Sequence, residues 1–350
     1  MDQTHREETE PSEDFAQFEP QRRGWLGKTL YFIHTHPAII PLAVLAAAIV
    51  VFGLVLGTRF FSPFSLTLVL QQVMIVGIVA IAQTLVILTA GIDLSVGAIM
   101  VCSSVVMGQC TFRYGLPPEI SIVIGLAFGT LCGLVSGILV AIVRLPPFIV
   151  TLGMWQIVLA ANFLYSRNET IRSQDIADQA PILQFFGRNI EVGGAVFTYG
   201  VIAMLILAAV VHYLLTCTAW GRHVYAVGDD PKAAELAGVR SRNVLLTVYA
   251  GSGLICGFAG WTLIGRLGSV SPTAGQLTNI ETITAVVIGG TSLFGGRGSV
   301  IGSLFGALIV GTFSMGLRMA GTDPQWTYLL IGVLIIVAVA FDHFVRRAAA

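Results

Sequence analysis

Few side chains in this 350-residue chain combine a reactive type with a spacing suited to covalent chemistry. The carboxylates Asp93, in Gly91-Ile92-Asp93-Leu94-Ser95-Val96-Gly97, and Glu281 stand at the boundaries of long apolar runs. At such places a carboxylate can cap a helix or take part in gating. Asp93-Leu94-Ser95-Val96-Gly97 lacks the first glycine of a G-x-S-x-G nucleophile elbow, and there is no H-E-x-x-H pair. The run Gly290-Thr291-Ser292-Leu293-Phe294-Gly295-Gly296-Arg297 has phosphate-loop glycine spacing but not the Lys-Ser/Thr that reaches phosphate and magnesium. The five cysteines show no C-x-x-C spacing and read as small core residues. The expectation is no catalytic, cofactor or metal site on this chain.

What remains is hydrogen-bonding chemistry. Gln71, Gln72, Gln83, Ser136, Thr151 and Asn162 interrupt apolar stretches. Amides and hydroxyls there can hold a neutral, hydroxyl-rich solute without an ion pair. They can equally bond one helix to another. The residue types leave both readings open, and these positions are a tentative substrate path.

The elements that must position them are set by composition. Hydrophobic residues make up 55% of the chain and charged residues 11%. A soluble domain carries about 25% charged residues, so this surface cannot be solvated as a globule. A soluble enzyme, a disordered chain and a nucleic-acid binder are excluded. The fold class is an all-α, polytopic membrane protein. Charge-free runs at 36–57, 66–90, 95–111, 120–143, 145–165, 195–215, 243–265, 282–296, 298–317 and 324–341 give about ten transmembrane segments. The run 282–296, bounded by Glu281 and Arg297, reaches only ~22 Å as a helix and is expected to be short or re-entrant.

Orientation follows from basic residues. Ten crossings with a cytosolic N-terminus put twelve of the 19 Lys and Arg inside. Both termini are then cytosolic, loop 166–194 is external and loop 216–242 is internal. Residues 1–30 read as a disordered acidic cytosolic tail without a signal-peptide core, and 31–345 as one transmembrane domain. Within the internal loop, Asp230 is placed to cap a short helix with Pro231 in its first turn. Ala233, Ala234 and Glu235 continue it, and Gly238 stops it. Gly125, Gly129, Gly133 and Gly137 recur every four residues, as do Gly298, Gly302 and Gly306. Each set lies on one helix face and implies close packing, inside the bundle in preference to a dimer seam.

The stretch Gly221-Arg222-His223-Val224-Tyr225-Ala226-Val227-Gly228-Asp229-Asp230-Pro231, with Ala233-Ala234 and Ala237-Gly238, resembles the coupling loop of monosaccharide ATP-binding-cassette (ABC) importer permeases. These are of the ribose, xylose, arabinose and fructose type. Thr89 through Gly97, Pro272-Thr273-Ala274-Gly275 and Ala285 through Val300 are similar to the same family, and the fructose/ribose type fits best. The chain departs from the usual pattern at Leu277-Thr278-Asn279-Ile280-Glu281 and Ser314-Met315, which bears on substrate more than mechanism.

The resemblance implies a multi-pass permease of the bacterial inner membrane that forms a homodimer with one translocation path. It implies a cytosolic ABC subunit that uses ATP, and a periplasmic sugar-binding protein. Gly221, Arg222, Asp230, Pro231, Ala233, Ala234, Glu235 and Gly238 would form the contact with the ATPase. Asp93, Ser95, Gly97, Gly289, Gly290, Gly295 and Gly296 would serve gating or structure. A secondary sugar transporter or facilitator, and less favourably an intramembrane enzyme, are the rival readings.

The topology is checked by single cysteines at Arg188 and Arg222 in a background without native cysteines. An impermeant maleimide added to intact cells is expected to label position 188 and not 222. The reverse pattern would invert the topology.

Overall fold

The computed structural model describes residues 39–192 and 195–349. The acidic tail at 1–30 lies outside the described residues. Each of the ten apolar runs contains a helix. These are α1 (Ile39–Leu56), α2 (Pro63–Leu88), α3 (Val96–Phe112), α4 (Pro118–Ala141), α5 (Pro147–Ser166), α7 (Tyr199–Cys217), α10 (Ser241–Leu267), α11 (Thr278–Ile288), α12 (Val300–Met319) and α13 (Pro324–Ala349). Seven helices among the described residues are long and apolar enough to cross a membrane; Val96–Phe112, Thr278–Ile288 and Gln325–Val337 are shorter apolar stretches. The protein is a polytopic membrane protein.

Two run boundaries are corrected. The run 282–296 is not helical throughout. Its helix, α11, starts earlier, at Thr278, and stops at Ile288. Gly290, Gly295, Gly296 and Gly298 then take positive φ, a backbone that no continuing helix can use. The run 195–215 opens as a strand, because residues 189–198 form a hairpin before α7 begins.

That hairpin belongs to a folded cap within the stretch that reads as the external loop 166–194. The cap contains α6 (Ser173–Gln179), a 3-10 turn at Pro181–Gly187, and strands β1 (Asn189–Val192) and β2 (Ala195–Thr198). The strands pair antiparallel with Ile190 opposite Phe197. Ile176 and Leu183 are fully buried. Phe186 lies edge-on to Trp261 of α10 at 4.6 Å, and Trp261 Nε1 donates to the Ile182 carbonyl at 3.1 Å. The apolar residues of 182–186 thus hold the cap on α10.

Packing is densest around α2, α3, α10 and α12, whereas α1 turns apolar side chains such as Leu54 (81% exposed) outward, as a lipid-facing helix does. The glycine stripes explain the density. A β-carbon on Gly129 would sit 2.5 Å from the Gly253 carbonyl oxygen of α10, and one on Gly133 would collide with the Tyr249 carbonyl. Gly125 faces Met107 and the Ser103 carbonyl of α3. Gly302 and Gly306 meet Gly289 and Ala285 of the α11 segment. Both stripes close contacts within the chain, as expected, with one correction: Gly298 (φ 147°) stands before α12 begins at Val300, so it shares no helix face with Gly302 and Gly306.

The two glycines Gly251 and Gly253 of α10 test this. Around Gly251 the space is open, whereas a β-carbon on Gly253 would collide with the Gly129 carbonyl. Gly253→Ala is expected to cost about 1–3 kcal/mol by overpacking. Gly251→Ala is expected to be neutral or to gain up to about 1 kcal/mol of helix propensity. Thermal unfolding of the two purified variants in one detergent decides; equal melting temperatures would remove the packing argument.

Candidate functional site

Helix α2 ends at Leu88, and the chain then folds back along it before α3 starts. Ala90 takes φ 59°, and the Thr89, Ala90 and Gly91 amides bond back to carbonyls of the last α2 turn. Asp93 comes to rest beside Gln83, five residues or roughly 7.5 Å back from the helix end. With its amide oriented to satisfy both partners, Gln83 donates to the Asp93 carbonyl (3.0 Å) and accepts from the Asp93 N–H (3.3 Å). Thr151 of α5 donates to the Ile92 carbonyl at 2.9 Å. Two members of the tentative path, Gln83 of α2 and Thr151 of α5, therefore fix this loop.

Asp93 is 2% exposed. Its Oδ1 accepts from the Ser95 N–H (2.7 Å) and from the Ser95 hydroxyl (2.6 Å). The Gly97 amide at the start of α3 is not capped by Asp93: it donates to Asn279 Oδ1 of α11 at 2.6 Å. A β-carbon on Gly97 would collide with that amide group. The N-terminus of α3 is thus capped by a side chain 182 positions away. Asn279 was missed because an asparagine at the start of an apolar run looks like a local cap.

The segment 268–277 makes the matching break before α11. Asn162 Nδ2 donates to the Pro272 carbonyl at 2.8 Å. Gly97, Ala98, Trp155, Asn162, Gln276 and Asn279 are among the residues around a cavity of about 30 Å³ where the two breaks meet.

On another part of the same helices, Arg266 donates to Gln72 Oε1 (2.6 Å), and Gln72 Nε2 donates to Glu281 Oε2 (3.4 Å). Glu281 is 7% exposed, and the opposite charges of Arg266 and Glu281 act on each other across the amide. Both acids at sequence boundaries are therefore interior in space, because the chain re-enters the bundle just where each stands. Gln71, beside Gln72, is half-buried.

The loop 216–242 carries two helices, α8 (Ala219–Asp229) and α9 (Pro231–Leu236). Thr218 caps α8 through the Gly221 N–H, and Gly221 packs against the Leu214 and Leu215 carbonyls. Arg222 is exposed. Asp230 Oδ1 accepts from the Lys232 and Ala233 amides (2.8 and 3.1 Å), Pro231 sits in the first turn, and Gly238 takes φ 86°. The short helix is as read. Its faces are not: Ala234, assigned to the docking surface, is 5% exposed and turned into the protein. Pro231, Ala233 and Glu235 are exposed, and Leu236, which the sequence reading passed over, is 91% exposed at the tip.

This loop is bolted to the turns that follow α2 and α11. The Gly296 N–H donates to the Leu88 carbonyl at 3.0 Å, satisfying an acceptor at the end of α2. A β-carbon on Gly228 would collide with that carbonyl and reach the Gly296 nitrogen at 2.7 Å. One on Gly295 would meet the Gly228 carbonyl at 2.5 Å. Tyr225 of α8 donates to the Gly298 carbonyl at 2.9 Å, and burial pushes its ionisation above the ordinary tyrosine range, so it stays a donor. Gly289 and Gly290 turn the chain out of α11, Gly289 against Gly302 and Gly290 with φ 86°.

Residues 65–339 match the family described as branched-chain amino acid transport system, permease component. The chain belongs to this permease family. Among relatives of the permease, the fructose import permease protein FrcC of Rhizobium meliloti is 66% identical over 97% of this chain and 94% of its own. The ribose import permease protein RbsC of Bacillus subtilis is 35% identical over 83% and 88%. The galactose/methyl galactoside import permease protein MglC of Escherichia coli K12 is 32% identical over 81% and 87%. No solved structure matches the chain. As a permease it is a transport subunit and not an enzyme.

The glycine junction makes its own prediction. Gly228→Ala is expected to cost about 1–3 kcal/mol and to loosen α8 from its neighbours. Hydrogen exchange should then rise together at 224–229 and 292–298 in the purified permease. Faster exchange confined to 224–229 would show that the two segments are not joined.

Proposed function

We propose that this permease imports a monosaccharide, fructose first among the candidates, across the bacterial inner membrane. The observation that carries this reading is 66% identity along nearly the whole chain to a fructose import permease. Ribose and galactose import permeases among the relatives support the wider class of neutral sugars. The family description names branched-chain amino acids, so the assay includes one.

In this reading the chain crosses the membrane ten times with α11 as a short, incomplete span, and both ends are cytosolic. Two copies form one path. A periplasmic sugar-binding protein delivers the sugar outside, and a cytosolic ABC subunit binds ATP and pushes on α9. Asp230 and Gly238 define that helix, with Leu236, Ala233 and Glu235 as its exposed contacts. The push reaches the 88–97 turn and α11 through the Gly228–Gly296–Leu88 contact. The energy difference between pore states then comes from ATP binding and not from an ion carried on this chain.

The rival is a secondary carrier. The interior placement of Asp93, Glu281 and Arg266 gives it a physical basis, since buried ionisable groups are how such carriers couple to ions. Uptake of labelled D-fructose into proteoliposomes holding all subunits, with external binding protein, separates the two. Accumulation is expected to require ATP and to survive a protonophore. Loss of accumulation on adding the protonophore at constant ATP would transfer the function to the secondary carrier.

A further inference from the structure

The cavity at the meeting of the two chain breaks has a chemistry of its own. Its lining comes from α3, α5, α11 and the 272–276 stretch, and includes no ionisable side chain. Non-helical backbone inside a membrane protein is tolerated where it is enclosed in protein or lines a polar cavity. Here the breaks before α3 and before α11 both end at this point, where Asn279 caps Gly97.

Asn162 supplies the second observation. It is 1% exposed. The Pro272 carbonyl can only accept, so Asn162 must turn Nδ2 toward it, and the 2.8 Å contact fixes the amide. Oδ1 then has no hydrogen-bond partner. A buried carbonyl oxygen left unpaired is destabilising, so this one calls for a donor. At about 30 Å³ the cavity exceeds the ~10–15 Å³ that one water-sized group needs, so a hydroxyl fits. Of the other lining residues, Trp155 is half-buried and Gln276 exposed, so the cavity can be reached from outside the bundle. An indole face beside amide groups suits a molecule with apolar ring edges and many hydroxyls.

We propose that this cavity receives one hydroxyl of the sugar during transit, with Asn162 Oδ1 as its acceptor and Trp155 as the apolar contact beside it. The proposal rests on the monosaccharide reading above and locates the contact within it. The lining offers no ionisable partner for the ammonium group of a zwitterionic amino acid, which favours a neutral solute.

The test uses the reconstituted importer, with the ATP-binding subunit and the sugar-binding protein present. Uptake of labelled D-fructose and of its monodeoxy analogues is measured for the wild type, Asn162→Leu and Trp155→Leu. Asn162→Leu is expected to lower the maximal uptake of fructose about tenfold. One deoxy analogue, already moved slowly by the wild type, should lose nothing further. Trp155→Leu keeps the Asn162–Pro272 bond, and it should lower uptake while ATP hydrolysis stimulated by loaded binding protein continues.

Wild-type uptake rates in both variants would overturn the proposal, leaving the cavity to a water molecule. So would an equal loss for every analogue with Asn162→Leu and no loss with Trp155→Leu, which would make Asn162 only an anchor for Pro272. A wild type that moves L-leucine and no sugar would instead overturn the monosaccharide reading itself.

Discussion

The structure turns on one hydrogen bond, from the Gly97 amide to the side chain of Asn279. The first amides of a helix have no partner within it, and inside a membrane bundle no bulk water can stand in. An α3 that starts in the interior therefore needs an acceptor brought from elsewhere. The short α11, which also starts in the interior, brings one, and the chain breaks on both sides of it, at 268–277 and at 289–299. Gln83, Thr151 and Asn162 then hold the broken strands to continuous helices. Each of these three side chains sits in an otherwise apolar helix because the irregular backbone beside it needs a partner.

Such an arrangement places polar backbone and helix ends in the interior without any net charge at the cavity. The charged groups are kept apart from it. Arg266 and Glu281 are joined through Gln72, and Arg318 also acts on both, so the Glu281 carboxylate faces opposite charge in a low-dielectric setting. Asp93 is held by Ser95 and by the turn of its own loop. A neutral solute suits this interior, and an ion would find its partners already engaged.

Much of the architecture was legible in the sequence, because lipid imposes long apolar runs and water does not. The ten runs each hold a helix, and the four-residue glycine spacing marked true close contacts, since a missing side chain is visible in a sequence. The Asp230 cap was readable for a similar reason: donor, acceptor and stop all lie within nine residues. What escaped depends on contacts distant in sequence. Nothing near Asn279 shows that it caps residue 97, and nothing near Glu281 shows that Arg266 faces it. Ala234 was misplaced on the outer face because a six-residue helix is too short for its apolar face to be read by periodicity. Loop 166–194 was legible as a loop but not as a folded cap over α10, because its buried residues, Ile176, Leu183 and Phe186, are spread across turns with no regular period.

Side chains in a contact behave as springs: a push can be absorbed by rotation about a bond before it moves anything beyond. The junction of Gly228, Gly296 and Leu88 has no such springs, because main chain meets main chain with no room for a methyl group. A displacement of α8 there has nowhere to be lost. If the loop 216–242 is pushed as proposed, the compliance of its link to the interior is that of the peptide backbone itself, stiffer than a contact between side chains.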